Sequence, residues 1–346
     1  MARSRLLPDN FTLALVGVVT LASLLPAEGD IATGFGWLTT FGIGLLFFLH
    51  GAKLSREAIV AGITHWRLHL LVLGATFVMF PLLGIVLKPV LSPLVTPELY
   101  TGVLYLCMLP ATVQSAIAFT SMARGNVPAA VCSASASTLL GVFVTPLLVN
   151  LLVVQGADAG ASFDAIGRIL LQLMAPFVAG HLLRPLIGQF VKRHGAGLKF
   201  VDQGSILLVV YTAFSAAVIE GLWTQIPLAA LAGLVLVCGV LLALALGLTS
   251  WTARRLGFGK ADEATIVFCG SKKSLASGIP MAHVLFAAPA VGAIVLPLML
   301  FHQIQLMVCA VLARRYAMRP AAPSRTPAKA AAKSAGQASS PRVQAR

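Results

Sequence analysis

Charge is what this sequence has least of. Only 10% of its 346 residues are charged and 58% are hydrophobic, whereas soluble domains carry about 25% charged residues. That balance excludes an ordinary soluble globular protein and makes the lipid bilayer the expected surrounding. Acids are scarcer still, with 11 Asp+Glu against 25 Lys+Arg and a net charge of +14. Such an excess can mark a nucleic-acid binder. Here eight of the basic residues fall in 314–346 and most others in short segments between apolar runs, so nucleic acid is not expected as a partner. The five cysteines (Cys107, Cys132, Cys238, Cys269, Cys309) form no C-x-x-C pair. Lying mostly in apolar stretches, they read as small buried residues and not as disulfides or ligands. The seven histidines show no metal-ligand spacing. No nucleophile–base pair and no paired acids fall at one depth of the apolar pattern, which argues against an enzyme.

What the chain does have is apolar length. The stretches predict about ten transmembrane helices, roughly 11–27, 35–52, 67–91, 99–122, 127–154, 164–187, 201–220, 227–253, 262–286 and 289–313. Arg3 and Arg5 before Phe11–Leu25 resemble a signal peptide, but Leu25-Pro26-Ala27-Glu28-Gly29 is not an A-x-A cleavage site, so a retained first span is expected. Residues 318–346 are rich in Ala, Pro, Ser, Lys and Arg and are expected to form a disordered basic tail.

With the N-terminus inside, 21 of the Lys+Arg fall on the inner side and only Lys88 and Arg168 on the outer, leaving Lys272 and Lys273 within a span. This is the positive-inside pattern of an inner-membrane protein with both termini cytoplasmic. Two odd-numbered halves, 1–157 and 158–317, would then have opposite orientations, an inverted five-plus-five repeat. The fourth span contains Leu109-Pro110-Ala111-Thr112-Val113-Gln114-Ser115, and its counterpart, the ninth, contains Gly270-Ser271-Lys272-Lys273-Ser274. The next span of each half carries Val144-Thr145-Pro146 or Val295-Leu296-Pro297. Two ammonium groups in hydrocarbon cost about 2.5–3.5 kcal/mol each, and irregular backbone at that depth survives only inside protein or facing water. Both interrupted spans are therefore expected to be discontinuous helices bordering a polar cavity.

These residues carry a resemblance. The ten-span layout and the run Cys269-Gly270-Ser271-Lys272-Lys273-Ser274-Leu275-Ala276-Ser277-Gly278 resemble the symporter-like branch of the bile acid:sodium symporter family. Phe47-Phe48-Leu49-His50-Gly51-Ala52-Lys53-Leu54 and Gly125-Asn126-Val127 support it. The resemblance covers roughly residues 10–316. It implies a panel domain and a core domain, two broken helices crossing near the midplane, and alternating access about a fixed site. In the sodium-coupled members the crossing carries a Ser-Asn pair, a Ser or Thr from the next span, and a Glu and a Gln, which bind two sodium ions. This chain departs from that set. Phe268 or Cys269 stands at the Glu position, Lys272 at the Gln position, and Gln114-Ser115 near the Ser-Asn pair. An ammonium there would repel sodium by several kcal/mol at an effective dielectric of about 20. The lysine could stand in for a cation, or titrate and couple transport to protons.

Each candidate has a plainer reading. Lys272 and Lys273, without an acid at mid-depth, favour an anionic substrate; alternatively they only neutralise helix carbonyl ends. Thr112, Gln114, Ser115, Ser271 and Ser274 are candidate ligands, though Ser and Thr also back-bond to helix carbonyls. Asn126 is a candidate ligand that reads equally as the cap of span five. Gln303, with His302 and Gln305, is costly in lipid and is expected to face protein or the pathway. The expected function is secondary transport of an organic anion, with sodium or a proton as the possible coupling ion and no cofactor. The alternative is a regulatory membrane protein that affects ion homeostasis without sodium symport.

Overall fold

The computed structural model describes residues 10–53, 65–153 and 163–319, except the side chains of 163–170. Arg3, Arg5, Arg56, Asp158, the side chain of Arg168 and the tail beyond Arg319 lie outside the described residues.

The described residues are helical, without strands. Apart from the short helical turns Lys88–Leu91, Ser92–Leu94 and Leu222–Gln225, the helices in order are α1 (Asn10–Leu24), α2 (Gly29–Lys53), α3 (Trp66–Val86), α4 (Pro97–Met108), α5 (Gln114–Met122), α6 (Val127–Leu152), α7 (Phe163–Arg193), α8 (Gly195–Ile219), α9 (Leu228–Arg255), α10 (Lys260–Gly270), α11 (Leu275–Leu285) and α12 (Ala288–Ala317). Among the described residues, α2, α3, α6, α8, α9 and α12 are long and apolar enough to cross a membrane. Trp37, Phe41, Leu82, Leu186, Leu228 and Trp251 are exposed on the outer faces, as suits hydrocarbon and not water.

The helices pack in two groups. One is α1, α2, α7 and α8; the other is α3 to α6 with α9 to α12. Within the first, α2 and α7 touch backbone to backbone. A Cβ on Gly51 would lie 1.9 Å from the Phe177 carbonyl oxygen, and one on Gly180 1.9 Å from that of Phe48. Small residues permit this approach, which stands in for a hydrophobic drive that lipid does not supply. The groups meet where α8 packs on α11 and α12, and where α6 touches α7.

Two breaks interrupt the second group. Helix α4 stops at Met108 because Pro110 has no N–H to continue the ladder, and Leu109 before it is extended. Helix α10 stops at Gly270. Ser274, also extended, starts α11 by accepting the Ser277 N–H on its side-chain oxygen at 3.2 Å. Asn126 caps α6 by accepting from the Ala129 N–H at 3.1 Å, and its amide donates to Asp262 at 2.9 Å. One turn of α3, Ala75–Met79, widens to π geometry; such turns recur at functional positions.

Candidate functional site

The two breaks bond directly to each other. At a helix C-terminus the last carbonyls have no partner within the helix and need outside donors when buried. From residue 106 to 110 each is met. Leu106 O accepts from the Leu109 N–H (3.3 Å), Met108 O from the Thr145 hydroxyl (2.8 Å) and Pro110 O from the Ser274 N–H (2.9 Å). Cys107 O and Leu109 O both accept from the Lys273 ammonium at 2.8 Å. The third ammonium proton goes to Thr76 O, also at 2.8 Å. That carbonyl is available because α3 is in π register there. Phe80 N–H bonds Ala75 O, so the next bond would run from residue 81 to Thr76, and residue 81 is proline. Lys273 thus spends all three donors on three backbone carbonyls of two helices. It lies over the Phe80 ring at 4.2 Å and is fully buried.

The second break is held by Gln305 of α12. Its side-chain oxygen accepts the Lys273 N–H and its side-chain nitrogen donates to Lys273 O, both at 3.0 Å. The amide therefore takes the place of a missing helical neighbour. Ser271 is buried and donates to Val267 O at 2.6 Å.

Lys272 has a different fate. It is equally buried, but its ammonium has no hydrogen-bond partner among the described residues and rests 3.8 Å above the Phe119 ring. A charge buried without a hydrogen-bond partner is costly to the folded state, and an apolar residue of similar volume removes that cost. Lys272→Met is therefore expected to fold in normal yield with an unchanged or raised Tm in a thermal-shift assay; a large drop would contradict this assignment.

Between the two helix groups lies a cavity of about 340 Å³. On one wall are the start of α5 (Thr112, Gln114, Ser115) and the start of α11 (Ser274, Ser277). Helix α5 begins without a side-chain cap. Both half-helices therefore direct the positive ends of their dipoles at the same space. On the facing wall are His50 and Lys53 of α2 and Lys199 and Asp202 of α8, with Lys199 exposed at the rim. Lys53 forms an ion pair with Asp202.

Of the sequence candidates, Thr112, Gln114, Ser115 and Ser274 line this cavity. Ser271, Lys272, Lys273, Asn126 and Gln303 lie outside its lining; Gln303 accepts from the Thr12 hydroxyl at 2.7 Å. Sequence reasoning did not find the Lys53–Asp202 pair or the role of Gln305. The only signal was their polarity within or at the ends of apolar runs.

An all-helical, lipid-compatible chain with a polar cavity walled by interrupted helices is a multi-pass membrane protein of the transporter class. The chain belongs to the SBF-like CPA transporter family, whose profile matches residues 9–318. It is 62% identical to "Putative symporter YfeH" of Escherichia coli over 89% of this chain and 92% of that one. It is 70% identical to "Uncharacterized protein PA2026" of Pseudomonas aeruginosa over 92% and 96%. It is also 27% identical to "Sodium/bile acid cotransporter 7" of Danio rerio over 89% and 94%. A small-molecule substrate and a membrane location follow from the family, and an enzymatic role does not.

Proposed function

We propose that this chain is a secondary transporter of an organic anion, moving it by alternating access through the cavity between the two helix groups, with the Lys273 ammonium in the place of a coupling cation. In this reading α1, α7 and the broken pairs α4–α5 and α10–α11 join the six long helices as ten spans, repeated with inversion about a division near residue 157. Helices α1, α2, α7 and α8 act as the panel, and the rest act as the core. The protein sits in the inner membrane with both termini cytoplasmic, and the Lys53–Lys199 rim of the cavity faces the cytoplasm by the positive-inside rule.

The observation that carries the reading is the pair of half-helix N-termini on one cavity wall, a geometry that favours an anion. The cavity volume lies at the lower end of the range for small-molecule sites, about 300–1,000 Å³. The Danio rerio relative's name joins sodium to a bile acid. The anion is carried over here and the sodium is not. Three carbonyls of a kind that holds cations already hold an ammonium, and a second positive charge beside it would be repelled by several kcal/mol at an effective dielectric of about 20.

The test is uptake of radiolabelled cholate into proteoliposomes, with sodium or choline as the external cation. Saturable uptake that is equal in both is expected. Uptake that requires sodium would overturn the cation-replacement part, and no uptake of cholate or of other organic anions would overturn the transport reading.

A further inference from the structure

The ends of α3 and α9 that carry Trp66 and Trp251 lie outside the cavity lining. Two of the chain's four tryptophans stand there, and both are open to the surroundings, Trp66 61% exposed and Trp251 57%. Leu70 is exposed one turn further along α3, and Leu244 two turns back along α9. Each helix therefore presents an apolar face that runs away from its indole. An indole at the end of such a face suits the headgroup level of a bilayer, where the ring is dry and its N–H is wet.

Beside the indoles stand two arginines, both exposed. The Arg67 guanidinium lies 5.6 Å from the centre of the Phe258 ring. Its Nη2 is 3.5 Å from Leu256 O, at the outer limit of a hydrogen bond. Arg255, the residue before Leu256, lies 5.5 Å from the centre of the Trp251 ring. These contacts are to rings and one carbonyl, and none carries a countercharge. Neither guanidinium meets a carboxylate among the described residues. The adjacent Arg254 behaves differently: its Nε donates to Glu263 at 2.9 Å, and Arg319 donates to the same oxygen at 3.0 Å. Asp262, the other acid at this end of α10, accepts from the Asn126 amide. A guanidinium has five N–H donors, so Arg67 and Arg255 keep most of theirs to spend.

We infer that this corner holds the phosphate of an anionic phospholipid, with Arg67 and Arg255 on the headgroup and the acyl chains along the apolar faces of α3 and α9. Guanidinium and phosphate match through paired N–H bonds, and basic groups at a membrane surface draw anionic lipid. A soluble phosphate would meet the arginines and leave the indoles, Leu70 and Leu244 without a partner. A zwitterionic lipid would cover the apolar faces and bring no net charge to the arginines. An anionic lipid matches both halves. The helices it joins are the ones that clasp the second break: a Cβ on Gly270 would lie 3.2 Å from Ala75 of α3 and 3.3 Å from Thr249 of α9. The inference does not depend on what the carrier transports.

The experiment reads tryptophan fluorescence of the purified full chain in bilayers containing brominated phosphatidylglycerol or brominated phosphatidylcholine, since bromine quenches only indoles that it touches. Trp37→Phe with Trp223→Phe leaves Trp66 and Trp251 as the emitters. Phosphatidylglycerol is expected to associate about fivefold more strongly than phosphatidylcholine, the factor that one basic residue near the surface contributes, and the preference should shrink as salt is raised. Arg67→Gln with Arg255→Gln is expected to abolish the preference, and Lys192→Gln with Arg193→Gln, which removes the same charge at the end of α7, to preserve it. Arg255→Gln alone leaves the Arg67 contacts with Leu256 and Phe258 in place, and it should weaken the preference without loss of fold. No preference in the starting chain overturns the inference. So does a preference that survives loss of both corner arginines, or one that falls equally in the Lys192–Arg193 variant, which would make it an effect of net charge. Displacement of phosphatidylglycerol by millimolar glycerol phosphate would make the corner a soluble-anion site and overturn the lipid assignment.

Discussion

Lys273→Met is expected to abolish most of the folded protein, seen as aggregate in detergent gel filtration and as the loss of a cooperative thermal transition. The substitution keeps the length of the side chain and removes its three donors. Thr76 O, Cys107 O and Leu109 O are then left unpartnered in a buried place. Each such loss costs about 1–3 kcal/mol. Even without full additivity the sum is a large share of the roughly 5–15 kcal/mol that holds a typical domain together. The end of α4, the π turn of α3 and the start of α11 lose their common tie at once. The neighbouring Lys272→Met is an internal control, since it removes the same charge from an equally buried position. Similar behaviour of the two variants would mean that charge alone, and not carbonyl bonding, decides the outcome.

Gln305→Leu is the second large effect. Leucine nearly preserves the volume, but the N–H and C=O of Lys273 lose their partners and His302 loses a contact. A destabilisation of about 2–4 kcal/mol is expected from two unpaired buried backbone groups, smaller than that of Lys273→Met because the ammonium still ties the break to α4. Hydrogen–deuterium exchange localises the effect: residues 271–277 should exchange faster while α2 and α7 are unchanged. Uniform loss of protection, or none, would contradict a local role for Gln305.

The two breaks were legible because their causes are local. Pro110 cannot donate, and a Gly-Ser-Lys-Lys-Ser run cannot lie against lipid. The helix bounds followed apolar length, with differences at the ends: 67–91 was expected as one span, and α3 ends at Val86 with a short helix, Lys88–Leu91, completing it, while 164–187 was expected where α7 runs on to Arg193. The division of labour between Lys272 and Lys273 was not legible. The two are adjacent and chemically identical. Which one meets carbonyls depends on the direction of a non-helical link and on a carbonyl freed by Pro81, nearly two hundred residues away. The Lys53–Asp202 pair was hidden for a similar reason, since its partners are 149 positions apart and each alone reads as an interfacial charge. Asn126 shows the converse. Its capping bond to Ala129 spans three residues, and so the sequence suggested it.

The most direct test of the claim that Lys273 occupies a cation's place is the thermal stability of wild type and Lys273→Gln across a sodium titration, with choline holding ionic strength constant. Glutamine supplies an oxygen and removes the charge, so the carbonyls of Thr76, Cys107 and Leu109 become available to an ion. Wild type should show no sodium-specific rise in Tm, and Lys273→Gln should be unstable in choline and recover in part as sodium is added. A wild-type protein stabilised specifically by sodium, with a Lys273→Gln variant of unchanged Tm that sodium does not affect, would contradict it.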